Sequence, residues 1–375
     1  MSGLLRDVMK ERAAQAPAEG IDAATIVAAG RSRVRRRRGA GMLATAACVV
    51  LVTTGVAGVV SRDDRADGGF APPAAQWEPA AVTWSHGRTM IEGERSWDVG
   101  QDVMSFVVNA DGIVWTSRDG GVHLLSRETG DSVDIGRTDT TRYTVRAEPD
   151  GPLVAWAQWR AGRAPQFVVY DTSSRQEVSR DAETEADYTG KQGIEAAQVY
   201  AVDDGTVYRQ DSRGVVAVDV AAGRATVLDP EADMDSIGDA AAGTVVWERP
   251  TDHGYSVGPR YGKGVRTGRS SMPLLSPGGT YLSTEDGDEF HIQRTSDASV
   301  VTPRLPTYPF AAAYGWIDDD TVAVYAIDRK VGGFDATYPL DFLTCSVSTG
   351  SCRVVGSGVS DLDSLSLPVG EHLGG

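Results

Sequence analysis

Asp204-Gly205-Thr206-Val207-Tyr208-Arg209-Gln210-Asp211-Ser212-Arg213-Gly214-Val215-Val216-Ala217-Val218-Asp219-Val220-Ala221-Ala222-Gly223 is the stretch whose reading decides the fold. Two turn signals, Asp204-Gly205 and Ala222-Gly223, bracket two short runs, Thr206 to Arg209 and Val215 to Val218. Glycine supplies the tight backbone of a reversal, and Val, Thr and Tyr fit a pleated, half-buried surface. The same pair of turns recurs along the chain. Its first turn falls at Asp111-Gly112, Asp150-Gly151, Asp204-Gly205, Ala242-Gly243, Gly278-Gly279 and Asp319-Asp320, at spacings of 39, 54, 38, 36 and 41 residues. A second turn follows 18 to 23 residues later at Thr129-Gly130, Ser173-Ser174, Ala222-Gly223 and Ser296-Asp297.

Four strands per roughly 40 residues is the period of a propeller blade. A four-stranded sheet of that size buries both faces only by stacking against neighbours around an axis. Six units run from about 104 to 356, and Val82 to Val99 adds a hairpin turning at His86-Gly87. The expected fold is all-β: a seven-bladed β-propeller of four-stranded antiparallel blades, with six blades as the alternative. The repeat resembles the WD40-like and TolB-like propeller families, whose blades often carry Ser-Pro-Asp-Gly before a hydrophobic strand. Ser276-Pro277-Gly278-Gly279 leads into Tyr281-Leu282, and Glu148-Pro149-Asp150-Gly151 leads into Leu153-Val154-Ala155-Trp156. Two connections are longer than the rest, Asp181 to Gly193 and Asp328 to Leu340. Loops on a rigid scaffold are where binding residues concentrate; tolerated insertion is the plainer alternative.

The N-terminal part reads differently. Arg31, Arg33, Arg35, Arg36, Arg37 and Arg38 are followed by 22 residues, Gly39 to Val60, without a charged side chain. As a helix this span is about 33 Å long, enough for a hydrocarbon core of roughly 30 Å. Arginines before the span, against only Arg62 and Arg65 after it, place the N-terminus in the cytoplasm. A cleaved signal peptide, with Gly55-Val56-Ala57 as its cleavage site, is the competing reading. The expected organisation is a cytoplasmic basic and amphipathic segment at 1–38, a transmembrane helix at 39–60 and a flexible linker at 61–79. An extracellular propeller at 80–358 and a tail or closing strand at 359–375 complete it. Leu4, Leu5, Val8, Met9 and Ala13 share one face of a short helix that is too small to fold alone. Membrane lipids are the expected partners of Gly39–Val60 and the arginine run, at about 1 kcal/mol per basic side chain.

Charge splits along the same line. Residues 1–38 carry nine Lys/Arg against four acids, whereas residues 61–375 carry 27 against 48. An outer part this acidic argues against nucleic acid, whose affinity comes largely from phosphate neutralisation. Cys345 and Cys352 flank a turn at Thr349-Gly350, so a cross-strand disulfide is expected beyond an export segment, with two free thiols as the alternative. Closing so short a loop is worth about 2–3 kcal/mol in the chain-entropy account.

Catalytic signatures are sparse. His86, His123, His253, His291 and His372 are scattered, and no nucleophile elbow, phosphate-cradling loop or dinucleotide fingerprint occurs. Glu285-Asp286-Gly287-Asp288-Glu289 and Asp318-Asp319-Asp320 have the carboxylates for calcium, but Asp and Gly are also what hairpin turns require. Ser117-Arg118-Asp119-Gly120-Gly121-Val122-His123-Leu124 resembles the Asp-box turn of sialidase-type propellers, without its closing Thr-Trp. That resemblance implies a glycosidase only with a Tyr nucleophile and clustered arginines. The expectation is therefore no catalytic residue, no cofactor and no metal. The chain reads as a membrane-anchored propeller that binds an extracellular ligand.

Leu4-Leu5-Arg6-Asp7 and Ile21-Asp22-Ala23 before the arginine run resemble single-pass proteins of GC-rich Gram-positive bacteria, some encoded beside extracytoplasmic-function sigma factors. That resemblance implies a cytoplasmic protein such as a sigma factor as a partner of residues 1–38. A purely anchoring N-terminus, making the propeller an extracellular scaffold, is the alternative.

Overall fold

The computed structural model describes residues 81–370, apart from 139, 141–142, 159–164, 183–196, 231–236, 249–253, 262, 270, 287–288, 306–307, 309, 328–338 and 360–363. The basic segment, the apolar span Gly39–Val60 and the linker expected from sequence lie outside these residues. Among the described residues no helix is long and apolar enough to cross a membrane.

Seven antiparallel sheets follow one another along the chain. Blade 1 contains β1 (Thr83–His86), β2 (Thr89–Glu92) and β3 (Arg95–Asp98); blade 2 contains β4 (Val103–Val108), β5 (Ile113–Ser117), β6 (Gly121–Leu125) and β7 (Ser132–Arg137). Blade 3 is β8 (Arg146–Ala147), β9 (Leu153–Gln158), β10 (Gln166–Asp171) and β11 (Gln176–Ala182). Blade 4 is β12 (Gln198–Asp203), β13 (Thr206–Asp211), β14 (Gly214–Asp219) and β15 (Arg224–Asp229). Blade 5 is β16 (Ile237–Ala241), β17 (Thr244–Glu248), β18 (Gly254–Arg260) and β19 (Lys263–Arg269). Blade 6 is β20 (Ser271–Leu275), β21 (Tyr281–Asp286) and β22 (Glu289–Arg294), with a Gln293–Val300 bridge at its outer edge. Blade 7 is β23 (Phe310–Trp316), β24 (Thr321–Ile327), β25 (Leu340–Ser346) and β26 (Ser351–Val359).

The hairpin expected at Val82 to Val99 is a blade of three consecutive strands, completed from the far end of the chain. β27 (Leu365–Ser366) pairs with β1 through Ser85–Ser366 and His86–Leu365, so the two ends of the domain share one sheet. Seven blades, not six, follow from this closure and from the core. Each of seven apolar clusters joins one blade to the next, and one of them, with Tyr314, Phe342, Val82 and Leu367, joins blade 7 to blade 1.

Period-two alternation explains why these strands are apolar on both faces. On β17, Val245 and Trp247 pack toward blade 4, while Val246 packs toward blade 6. Four tryptophans fill the seams with their indole N–H groups satisfied: Trp115 donates to Ser132 Oγ, Trp156 to Arg137 O, Trp247 to Gly258 O and Trp316 to Leu274 O, at 2.8–3.1 Å. Gly136 is required beneath Trp156, because a Cβ there would lie 2.5 Å from the indole Cζ2.

Antiparallel alternation sorts the connections onto two faces. Where consecutive strands form them, the first-to-second and third-to-fourth strand turns lie on one, here the turn face. The second-to-third hairpins and the crossings to the next blade lie on the other, the loop face.

Candidate functional site

The turn face is tied together by carboxylates reaching across the seams. Glu148 accepts from Gly205 N at 2.9 Å, Asp203 from Ala242 N and Gly243 N at 2.9 Å each, and Asp319 from Gly278 N at 2.5 Å. Asp318 accepts from the amides of Asp320 and Thr321, and Asp320 from Ser348 N and Ser346 Oγ. The carboxylates of the Asp318-Asp319-Asp320 run thus hold turns. Among the described residues no group of three His, Cys, Asp or Glu side chains is arranged to hold a metal ion.

The loop face is built differently. The strand ends bearing both long connections, β11 and β12 for one and β24 and β25 for the other, open onto it. In a ring of seven, the boundary between blades 3 and 4 lies directly across the axis from blade 7, so the two connections leave from opposite rims. Asp181, expected in the first connection, belongs to the end of β11.

Beneath that rim lies a charged floor. Asp211, fully buried at the end of β13, accepts from Arg213 N at 3.0 Å and Arg213 Nε at 3.1 Å, and its Oδ2 lies 3.4 Å from Arg209 Nε. Arg209, itself buried, reaches Asp181 at 2.9 Å, and its guanidinium sits 4.2 Å over the Phe167 ring. Arg180 bridges Gln158 Oε1 at 3.1 Å, Gln166 Oε1 at 3.0 Å and Glu177. The hydrogen bond between Arg180 and Glu177 holds the guanidinium pKa above its ordinary value and the carboxyl below its own. Gly214 closes the β13–β14 hairpin at φ +101°, where a Cβ would meet Asp229 O at 2.1 Å. This floor presents fixed donors and acceptors with its internal charge balanced, an arrangement that orients a polar ligand.

Toward the axis, Arg146 on β8 donates to Tyr200 O at 2.9 Å and Val369 O at 3.1 Å. The chain after β27 runs across the inner strands here, with Gly370 N on Phe106 O and Val145 N on Gly370 O. Asp239 on β16 is buried and accepts from Leu275 N and Ala240 N. Burial pushes its carboxyl up to about 7, against the pull of those amides and of Arg146.

The Asp-box-like hairpin also lies on the loop face, at the β5–β6 turn. Ser117 Oγ is 2.6 Å from Asp119 Oδ1 and 3.2 Å from His123 Nε2, and His123 stacks on Trp115 at 4.3 Å. Hydrogen bonds from Ser117 and Gly121 N, with Arg137 beside it, bring Asp119 down to about 2, whereas burial lowers the His123 pKa. The wiring is that of a turn. Asp119 is spent on the serine and not on the imidazole, and Ser117 has no exposed surface from which to attack a substrate.

The remaining residues singled out by sequence fall as follows. Cys345 and Cys352 oppose each other on β25 and β26, with sulfurs 2.09 Å apart. His86 ends β1 and His291 lies on β22, in different blades. His253, His372 and the six arginines lie outside the described residues. The Arg209–Asp211–Arg213 network was not anticipated. Its one signal is the spacing Arg-x-Asp-x-Arg across the end of β13, after Val207 and Tyr208.

No family model matches this chain, and no curated protein matches it. Among solved structures it is similar to a TolB from Agrobacterium tumefaciens, with 13% identity over 78% of this chain and 96% of that one and a TM-score of 0.37. It is also similar to TolB from Acinetobacter baumannii, with 13% identity over 76% and 65% of the two chains and a TM-score of 0.38. A third is the dihydro-heme d1 dehydrogenase NirN, with 13% identity over 79% and 77% and a TM-score of 0.45.

Proposed function

We propose that this chain is a membrane-anchored, non-catalytic binding propeller that takes a polar extracellular ligand, a protein segment or a glycan, on its loop face. The observation that carries the reading is the placement of both long connections on that face, at opposite rims, with the Arg209–Asp211–Arg213 floor beside one of them. Gly39–Val60 supplies the anchor and the six arginines its orientation. The chain enters the domain at the turn face, where Val82 O accepts from Gly93 N in the β2–β3 turn. An anchor upstream of residue 81 therefore tethers the domain by its turn face and leaves the loop face free for a partner. Residues 1–38 would carry the occupancy of that face to a cytoplasmic partner.

Protease shaving of intact cells carrying an N-terminal and a C-terminal epitope tests the anchoring. Loss of the C-terminal epitope alone is expected; loss of neither or of both contradicts it. Affinity capture from gently solubilised membranes, with and without residues 2–30, then tests the cytoplasmic output. An unchanged set of partners would leave the N-terminal segment as an anchor only.

A further inference from the structure

Arg209, in the floor of the loop face, is enclosed without being fully bonded. Its side chain is only 5% exposed, and its guanidinium is held 4.2 Å over the Phe167 ring. Its Nε is buried and has no hydrogen-bond partner, although the Asp211 carboxylate stands 3.4 Å away. That carboxylate is committed to Arg213: it accepts from Arg213 N at 3.0 Å and Nε at 3.1 Å and pairs with Nη2 at 2.5 Å. The other carboxylate on Arg209 is Asp181, 2.9 Å from Nη1, 48% exposed and near the end of β11. A buried guanidinium short of acceptors is costly unless something completes it. Asp181, half in water and arriving from the neighbouring blade, is the contact that a ligand can take over.

We propose that the loop face binds a sugar acid, whose carboxylate replaces Asp181 on Arg209 and whose hydroxyls meet the polar side chains of the floor. This deepens, and rests on, the assignment of binding to the loop face. A carboxylate is the group that a planar guanidinium takes with two of its N–H donors at once. The surroundings favour a sugar over a peptide. The side chains presented beside Arg209, those of Gln166, Arg180, Ser212 and Arg213, are donors and acceptors. A protein partner is held chiefly by aromatic anchors seated in desolvated pockets. Charge narrows the ligand further. Residues 61–375 carry 27 basic against 48 acidic side chains, so a polyanion is repelled at long range and a saccharide with a single carboxylate fits. Displaced, Asp181 passes into solvent and keeps its charge hydrated.

Isothermal titration of the full-length protein in detergent tests this with a trisaccharide ending in glucuronate, its glucose-ended counterpart and a tripeptide bearing one glutamate. Saturable binding of the glucuronate probe alone is expected. Asp181→Asn should tighten that binding about tenfold by removing the competing carboxylate, and Arg209→Gln should abolish it. A gain on Asp181→Asn is not a consequence of misfolding, so the test stands even where Arg209→Gln fails to fold. Binding of either comparator as tightly as the glucuronate probe would overturn the proposal. So would an affinity that Asp181→Asn does not move, or no binding of that probe by both the wild type and Asp181→Asn. Cross-linking in cells reports on the underlying reading separately. An adduct at Ser212 without glucuronate binding removes the sugar acid and leaves the loop face as the binding surface, whereas an adduct at Ala222 of the turn face alone removes both.

Discussion

The turn face and the loop face solve opposite problems. On the turn face the connections are short, and the carboxylates of Glu148, Asp203 and Asp319 bond amides of the neighbouring blade. Side-chain chemistry there is spent on holding the ring. On the loop face the charged side chains pair mostly within a blade or one rim, as in Arg213–Asp211 and Arg88–Asp98, and the lengths of the connections vary. The lesson is a division of labour. A ring closed by apolar seams and clamped on one side leaves its other side free to vary.

The largest test of that division is Asp211→Ala. Asp211 is buried on the loop face between Arg209 and Arg213, so removing it takes one of two carboxylates from the buried Arg209 guanidinium and the acceptor from Arg213 N. A loss of about 3–5 kcal/mol in urea unfolding is expected. A loss below about 1 kcal/mol would mean that the floor is a plastic surface and not a fixed platform.

Next in size is the pH dependence set by Asp239. Its folded pKa, up to about 7, lies above the ordinary carboxylate value, so the folded state binds this proton more tightly than the unfolded chain does. Its stabilising contribution is full below the ordinary carboxylate range, declines from about pH 4 to about pH 7 and is absent above; the decline is on the order of 4 kcal/mol. Urea midpoints for the wild type and Asp239→Asn at several pH values isolate it, since the variant should lack that component. Asp119, brought down to about 2, has the opposite sign: its contribution is present at neutral pH and fades as pH falls toward 2. Its exposure to solvent keeps that effect small.

Asp203→Ala sharpens the comparison on the turn face. It frees two amides, those of Ala242 and Gly243, and should cost about 1–2 kcal/mol with no effect on ligand capture. The smallest stability effect is expected for Arg213→Ala. That side chain is exposed, and its loss should cost less than about 1 kcal/mol while weakening whatever the loop face binds. Calorimetry and capture on the same preparations separate the two outcomes.

Much of the ring is legible in sequence because turns and alternation are local. Asp111-Gly112, Asp204-Gly205 and Ala242-Gly243 each fall between the first and second strands of a blade, and Thr129-Gly130 and Ala222-Gly223 between the third and fourth. The closing strand is not legible, because Leu365-Ser366 is two residues long and its identity comes from β1, far away in the chain. Blade 6 hides its outer strand for a related reason. Residues 300–305 leave β22 after a few bonds, and Arg304 bridges to Ser351 of blade 7. The candidate site was half legible. The long connections show as spacing, whereas the Arg209–Asp211–Arg213 floor depends on Asp181 and Phe167 arriving from another blade, which no local pattern encodes.

A photo-cross-linking side chain placed at the exposed Ser212 beside Arg213 on the loop face, and in a parallel strain at Ala222 on the turn face, tests the central claim in intact cells. The account predicts a discrete adduct from position 212 and none from position 222. An adduct from position 222 alone, or equal adducts from both, would contradict the assignment of binding to the loop face.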